Sequence, residues 1–282
     1  PTSNGFQVQS SGTNFNTSGQ TYIYIAIRRP TAVPTSATEV FDVQTSTSAN
    51  FVHTTGFDVD LAITGSQDGW ARNAGVVDRL RGDGKSLETS NTDAESAGNA
   101  GVHEFDRSRE YLNSSTSGDQ VAWAWKRAPK YMDVVAYTGN GTAGHTVSHN
   151  LTVAPEMMWV KRRNGVSSWI TYWEPLGATK GVFIDTNAAF TSATYWNDTA
   201  PTDSVFTLGN GSTNTSSATF IAYLFATLAN ISKVGSFSHT NGTNSVVDCG
   251  FTSGARFVLL KRTDSADNWD LWDSARGINT GT

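Results

Sequence analysis

The string Tyr195-Trp196-Asn197-Asp198 is where this sequence comes nearest to a ligand contact. Two adjacent aromatics offer flat apolar faces, and the amide and carboxylate beside them offer hydrogen bonds. Such a set can grip a sugar ring. The same aromatics can instead anchor a subunit contact, since Trp is enriched at the energetic centres of interfaces, or plug a core. The four residues are carried forward as glycan or interface contacts.

The other candidates are weaker. His145 and His149 have the spacing of a zinc pair on a helix, but Thr146-Val-Ser148 between them reads as strand, and no Cys or carboxylate completes a ligand set. His53, His103 and His239 are isolated. Cys249, in Val-Val-Asp-Cys-Gly-Phe, has no base beside it; it reads as a buried, inert residue at a strand end. A single cysteine also excludes an intrachain disulfide. Asp68, Asp83, Glu104 and Asp106 do not form the Asp-x-Asp-x-Asp-Gly pattern of a calcium loop. A glycosidase would need two carboxylates facing each other across a groove, so these acids read as turn formers.

Lys161-Arg162-Arg163 and Lys261-Arg262 invite an anion, but on an acidic chain they are expected to be solvated or paired with carboxylates of a neighbouring unit. The Asn-x-Ser/Thr triplets at Asn16, Asn113, Asn140, Asn150, Asn197, Asn210, Asn214, Asn230 and Asn241 are turn composition. No catalytic residue, metal ligand or cofactor is expected, and the chain is not expected to be an enzyme.

Elements to position such residues are short. Asp133-Val-Val-Ala-Tyr137, Met157-Met-Trp-Val-Lys-Arg-Arg163, Trp169-Ile-Thr-Tyr172, Gly181-Val-Phe-Ile184, Val205-Phe-Thr-Leu208 and Thr219-Phe-Ile-Ala-Tyr-Leu-Phe225 are apolar or alternating runs separated by Gly, Asn, Ser and Thr. Runs of this kind predict an all-β sandwich. In Val121-Ala-Trp-Ala-Trp125 the large residues face one way and the alanines the other, as close sheet packing requires. The basic end of the Met157 run predicts that this strand leaves the core at Lys161. Tyr22-Ile-Tyr-Ile-Ala-Ile-Arg28, apolar on both faces, predicts a central strand ended by Pro30. One helical turn is expected around residues 93–96.

The runs recur. Val134 falls on Val234, Tyr137 on Phe237, Lys161-Arg162 on Lys261-Arg262, Trp169 on Trp269, Tyr172 on Trp272 and Gly177 on Gly277, always 100 apart. Ala122-Trp-Ala-Trp125 lies 100 before Ala222-Tyr-Leu-Phe225, and Tyr24-Ile-Ala-Ile-Arg28 is a third version. A weaker copy starts at Phe41-Asp-Val43, and its Val77-Asp-Arg-Leu-Arg-Gly82 parallels Trp272-Asp-Ser-Ala-Arg-Gly277. The expectation is tandem lectin-like or jelly-roll-like modules of about 100 residues. Residues 38–130 and 131–229 form whole modules, 1–30 the back half of one and 230–282 the front half of another. The chain then reads as a window from a longer polypeptide, or as a permuted array whose end halves complete each other.

Across 282 residues the net charge is −5 and the charged fraction only 16%. No basic stripe suggests nucleic acid as a partner. No run approaches the roughly 18 apolar residues of a membrane helix.

The strings "MDVVAYTGNGTAG" (132–144), "HNL" (149–151), "VKRR" (160–163), "LGATKG" (176–181) and "YWNDTAPT…VFTLG…FIAYLFA" (195–226) resemble the repeated β domains in virion proteins of marine bacteriophages, cyanophages included. "DRLRG" (78–82) and "DSARG" (273–277) match a companion motif of those arrays. The likeness is looser in the first module, which lacks the Lys-Arg pair. It implies a structural virion component: a tail fibre or a capsid-surface fibre or decoration protein that adheres to the host. Its expected partners are other virion proteins and copies of itself, a trimer being favoured, with host-surface glycan as a further ligand. A carbohydrate-binding module for host polysaccharide is the alternative, and a polysaccharide depolymerase a more distant one.

Overall fold

A computed structural model describes residues 17–25, 31–48, 50–67, 74–97, 103–104, 110–114 and 119–277. Its elements are antiparallel strands, as the alternating runs predict. One six-stranded sheet has the order β1 (Phe41–Ser46), β9 (Gln120–Trp125), β3 (Leu61–Ser66), β4 (Gly75–Asp78), β5 (Lys85–Glu88), β6 (Ser96–Ala97). A second has the order β10 (Met132–Thr138), β17 (Thr219–Phe225), β12 (Met157–Arg162), β13 (Ile170–Trp173), β14 (Lys180–Phe183), β15 (Thr191–Ser192). In each, the strand latest in the chain lies between the first strand and the next long one. The registers agree too: Leu61 and Met157 sit opposite Trp125 and Phe225, and on their other side opposite Asp78 and Trp173.

Smaller sheets accompany them: β2 (Asn50–Thr54), β8 (Glu110–Ser114) and β7 (His103–Glu104) in one, β11 (His145–Ser148) and β16 (Val205–Leu208) in another. β18 (Phe257–Lys261) and β19 (Trp269–Asp273) form a last pair, with Phe257 opposite Asp273.

Period-two burial assigns each large sheet two apolar faces. On the second sheet Val135, Met158, Val160, Phe220, Ala222 and Leu224 pack under Val147, Phe206 and Leu208 of the β11–β16 pair, which makes a sandwich. The opposite face, with Val134, Trp159 and Tyr223, meets Ile63, Trp123 and Trp125 of the first sheet in a shared core. Phe257, Leu259 and Leu271 of the β18–β19 pair pack against that same core. The Trp123 and Ala124 faces part as predicted, the tryptophans into the shared core and Ala124 against Phe57, Val59 and Ala62.

Several expectations fail. Residues 21–25 form no strand, and Ile23 and Ile25 are 99% and 86% exposed. No ladder partner lies beside them among the described residues, so alternation alone could not bury them. Residues 26–30 lie outside the described residues, as do Asp68 and Asp106. No helix forms at 93–96: the chain runs extended into β6, and Glu95 N–H donates to Arg163 O at 2.8 Å. The stretch around Val234 and Phe237, expected to copy β10, carries no strand. Cys249 is half-buried and outside any strand.

Candidate functional site

The Tyr195-Trp196-Asn197-Asp198 loop does not present its tryptophan. Trp196 is fully buried in the sandwich core, edge-on to Tyr172 with ring centroids 5.7 Å apart. A glycan therefore has no Trp196 face to stack on, which corrects the expectation of a contact at this residue. Asn197 and Asp198 sit at φ 51 and 49, a left-handed turn that Asn and Asp tolerate, and this turn folds the indole inward. Tyr195 packs against Phe183, 6.1 Å between rings, and only Asp198 is exposed.

Gly209 holds this loop down by donating its N–H to Tyr195 O at 2.9 Å. An added Cβ there would collide with the Thr194 backbone carbonyl. Gly209→Ala should destabilise the fold by about 1–3 kcal/mol, the usual cost of overpacking. A thermal melt checks this, and an unchanged Tm would show that the loop is not pinned here.

His145 and His149 are held in structural hydrogen bonds. His145 Nδ1 lies 2.9 Å from Oδ1 of buried Asn214, whose amide donates to Asn140 Oδ1, Thr142 O and Gly209 O at 3.0, 2.8 and 2.9 Å. His149 is turned to the Thr202 carbonyl at 3.2 Å, and burial lowers its pKa. Among the described residues no group of three or more His, Cys, Asp or Glu could hold a metal.

The most developed polar sites are instead the junctions between sheets, and they come in matched pairs. Asp78 accepts from Arg81 N–H at 2.9 Å and from the Arg81 guanidinium, which also donates to Val76 O at 2.7 Å. Both side chains are fully buried. The Tyr223 hydroxyl of the second sheet donates to Asp78 Oδ2 at 2.7 Å. Burial alone would lower the Arg81 pKa, but the Asp78 carboxylate raises it above its ordinary value; burial pushes the Tyr223 phenol up. Asp273 repeats this clasp. It accepts from Arg276 N–H at 2.9 Å and from Arg276 Nε at 2.6 Å, while Trp123 Nε1 of the first sheet donates to it at 3.1 Å. The Arg276 guanidinium lies 5.2 Å over the Trp123 ring, a cation–π contact.

A second pair of junctions uses lysine and tryptophan. Lys161 Nζ crosses to Thr92 O of the first sheet's region at 2.9 Å and also donates to Ser167 O. Beside it Trp169 Nε1 donates to Glu88 O at 2.7 Å. Lys261 Nζ reaches Asn187 O at 3.0 Å and Asp267 O, and Trp269 Nε1 reaches Phe183 O at 3.0 Å. The strand thus does not leave the core at Lys161, which is fully buried. Arg163 does pair with a neighbour's carboxylate, as expected: it grips both Glu95 oxygens at 2.9 and 3.0 Å.

Burial lowers the Lys161 pKa from 10.5 to about 8. Between these values the unfolded chain holds a proton that the folded chain has released. Stability carried by this lysine therefore rises with pH across the window, by up to about 1.4 kcal/mol per unit, and below pH 8 the burial cost acts in full. Denaturant titrations of the unaltered protein and Lys161→Met from pH 7 to 10.5 should diverge in that direction. Parallel curves would refute it.

Trp123, Asn187 and Trp269 of these junctions line a cavity of about 770 Å³ together with Trp159, Phe257, Leu259 and Asp185, among others.

Fold and junctions together define an all-β protein of antiparallel sandwiches clasped through buried polar side chains. The chain belongs to the family described as a domain of unknown function (DUF7483), whose model matches residues 36–281. No curated protein and no solved structure matches it.

Proposed function

We propose that this is a structural protein of a bacteriophage virion, a tail fibre or a capsid-surface fibre or decoration component, built from tandem copies of one β module of about 100 residues. The observation that carries this reading is the recurrence of one junction. Lys161 and Trp169 grip the sheet before them, and Lys261 and Trp269, each 100 residues on, grip the next. Conserving a contact between units, rather than a cleft within one, suits a protein whose task is to stack. In a repeat array each unit buries surface against its neighbours and stability grows with the number of interfaces. The shared strand order of the two six-stranded sheets supports duplication. The virion setting rests on the sequence likeness to phage β-domain arrays. Host adhesion and self-association are the activities this implies.

Peptide mass spectrometry of density-banded particles of the encoding phage tests it. Peptides of this chain in amounts comparable to known fibre or decoration proteins are expected, with surface labelling by an antibody. Particles free of the chain would overturn the reading.

A further inference from the structure

We infer that residues 22–25, which carry no ladder in this structure, pair in solution as a strand along the open edge of β18 in the same chain and close a third large sheet over the cavity beside it. The inference rests on the repeat reading but not on the virion setting. β18 pairs with β19 on one edge, and its other edge has no strand beside it among the described residues. In the two complete sheets that edge is taken by β9 and β17, which also separate it from β1 and β10. One missing strand therefore accounts for two loose ends: the free edge of β18, and the exposed stretch around Phe237 that should copy β10.

The sequence supplies that strand. Ile25 and the Ala-Ile-Arg-Arg that follow it parallel Trp123 and the Ala-Trp-Lys-Arg that follow it. Trp123 lies opposite Ile63, and Tyr223 opposite Trp159. The same register puts Ile25 opposite Leu259, a residue that lines the cavity. Exposed Ile23 and Ile25 would then share the face that looks into the cavity. The reach is short. Arg256 already binds Asp42 at 2.8 Å, and the Phe257 and Phe41 rings are 5.7 Å apart. Sixteen residues from Ile25 to Phe41 span up to about 50 Å extended.

The clasps supply an independent check. Asp78 and Arg81 meet Tyr223, and Asp273 and Arg276 meet Trp123. Both aromatics bring a donor to a buried carboxylate. The register equivalent of those aspartates in the second sheet is Trp173, and Leu176 stands where the arginines do. Trp173 is already turned to the last sheet, its Nε1 on Gly235 O at 3.1 Å and its ring 6.2 Å from Trp269. By rotation around the three sheets its partner is Ile25, which has no donor. An aspartate there would be buried unpaired; the chain carries an apolar residue instead.

Oxidative cross-linking tests this. In a Cys249→Ser background, Ile25→Cys with Leu259→Cys should form an intrachain disulfide at least ten times faster than Ile25→Cys with Leu260→Cys, whose side chain faces away. Equal rates, no linkage, or linked dimers would each overturn the assignment. In the unaltered protein, hydrogen exchange at residues 22–25 should be slowed at least a hundredfold against an unstructured peptide. Free exchange there overturns it even if the cysteine variants fail to fold. Particle mass spectrometry can fail while both these readouts succeed, so the two proposals are separable.

Discussion

Asp78→Ala will lower stability by about 3–5 kcal/mol, because it strips the partner from a buried guanidinium. Arg81 and Asp78 are both fully buried, and Tyr223 reaches the same carboxylate from the second sheet. Removing the carboxylate leaves the Tyr223 hydroxyl without its acceptor and the buried guanidinium with the Val76 carbonyl, the Tyr223 oxygen and only a distant carboxylate, Glu95 at 3.5 Å. Replacing all three together with apolar residues of similar volume should cost far less, since the desolvation of the ion pair disappears with the pair. Guanidinium unfolding of the single and triple variants decides it. A single variant within 1 kcal/mol of the parent would mean that water or another group compensates, and the clasp would no longer explain how the sheets are joined.

Trp196→Ala comes next, at about 3–5 kcal/mol, through lost burial and the cavity it leaves. Trp196→Phe should cost well under half of that. The indole Nε1 has no hydrogen-bond partner among the described residues, so the loss is one of area and shape. Equilibrium unfolding is the measurement. If Trp196→Ala left Tm intact yet removed binding on a glycan array, the residue would belong to a surface after all.

The strands were legible where large apolar residues alternate, as from Val121 to Trp125 and from Thr219 to Phe225. The β2–β8 pair was not, because Asn50-Phe-Val-His-Thr54 is half polar and resembles the turns around it. Trp196 misled for a related reason: its neighbours are polar, and only a left-handed turn at Asn197 and Asp198 directs it inward. Lys161 read as a strand exit because charge normally seeks water. Its burial depends on the Thr92 carbonyl 69 residues away, which no local pattern encodes. The Asp-x-x-Arg-Gly strings were visible as a motif, but their partners, Tyr223 and Trp123, lie 145 and 150 residues distant.

The two aspartate clasps have a consequence for assembly order. Each accepts only a neighbour that offers a donor at one position, so the clasp works as an address that a wrong neighbour cannot read. A sheet presenting isoleucine to Asp78 would leave its carboxylate with the Arg81 donors alone, one short, and one presenting tyrosine to Trp173 would bury a hydroxyl with no carboxylate to receive it. A mismatched packing is thereby penalised as the apolar faces close over the aspartates.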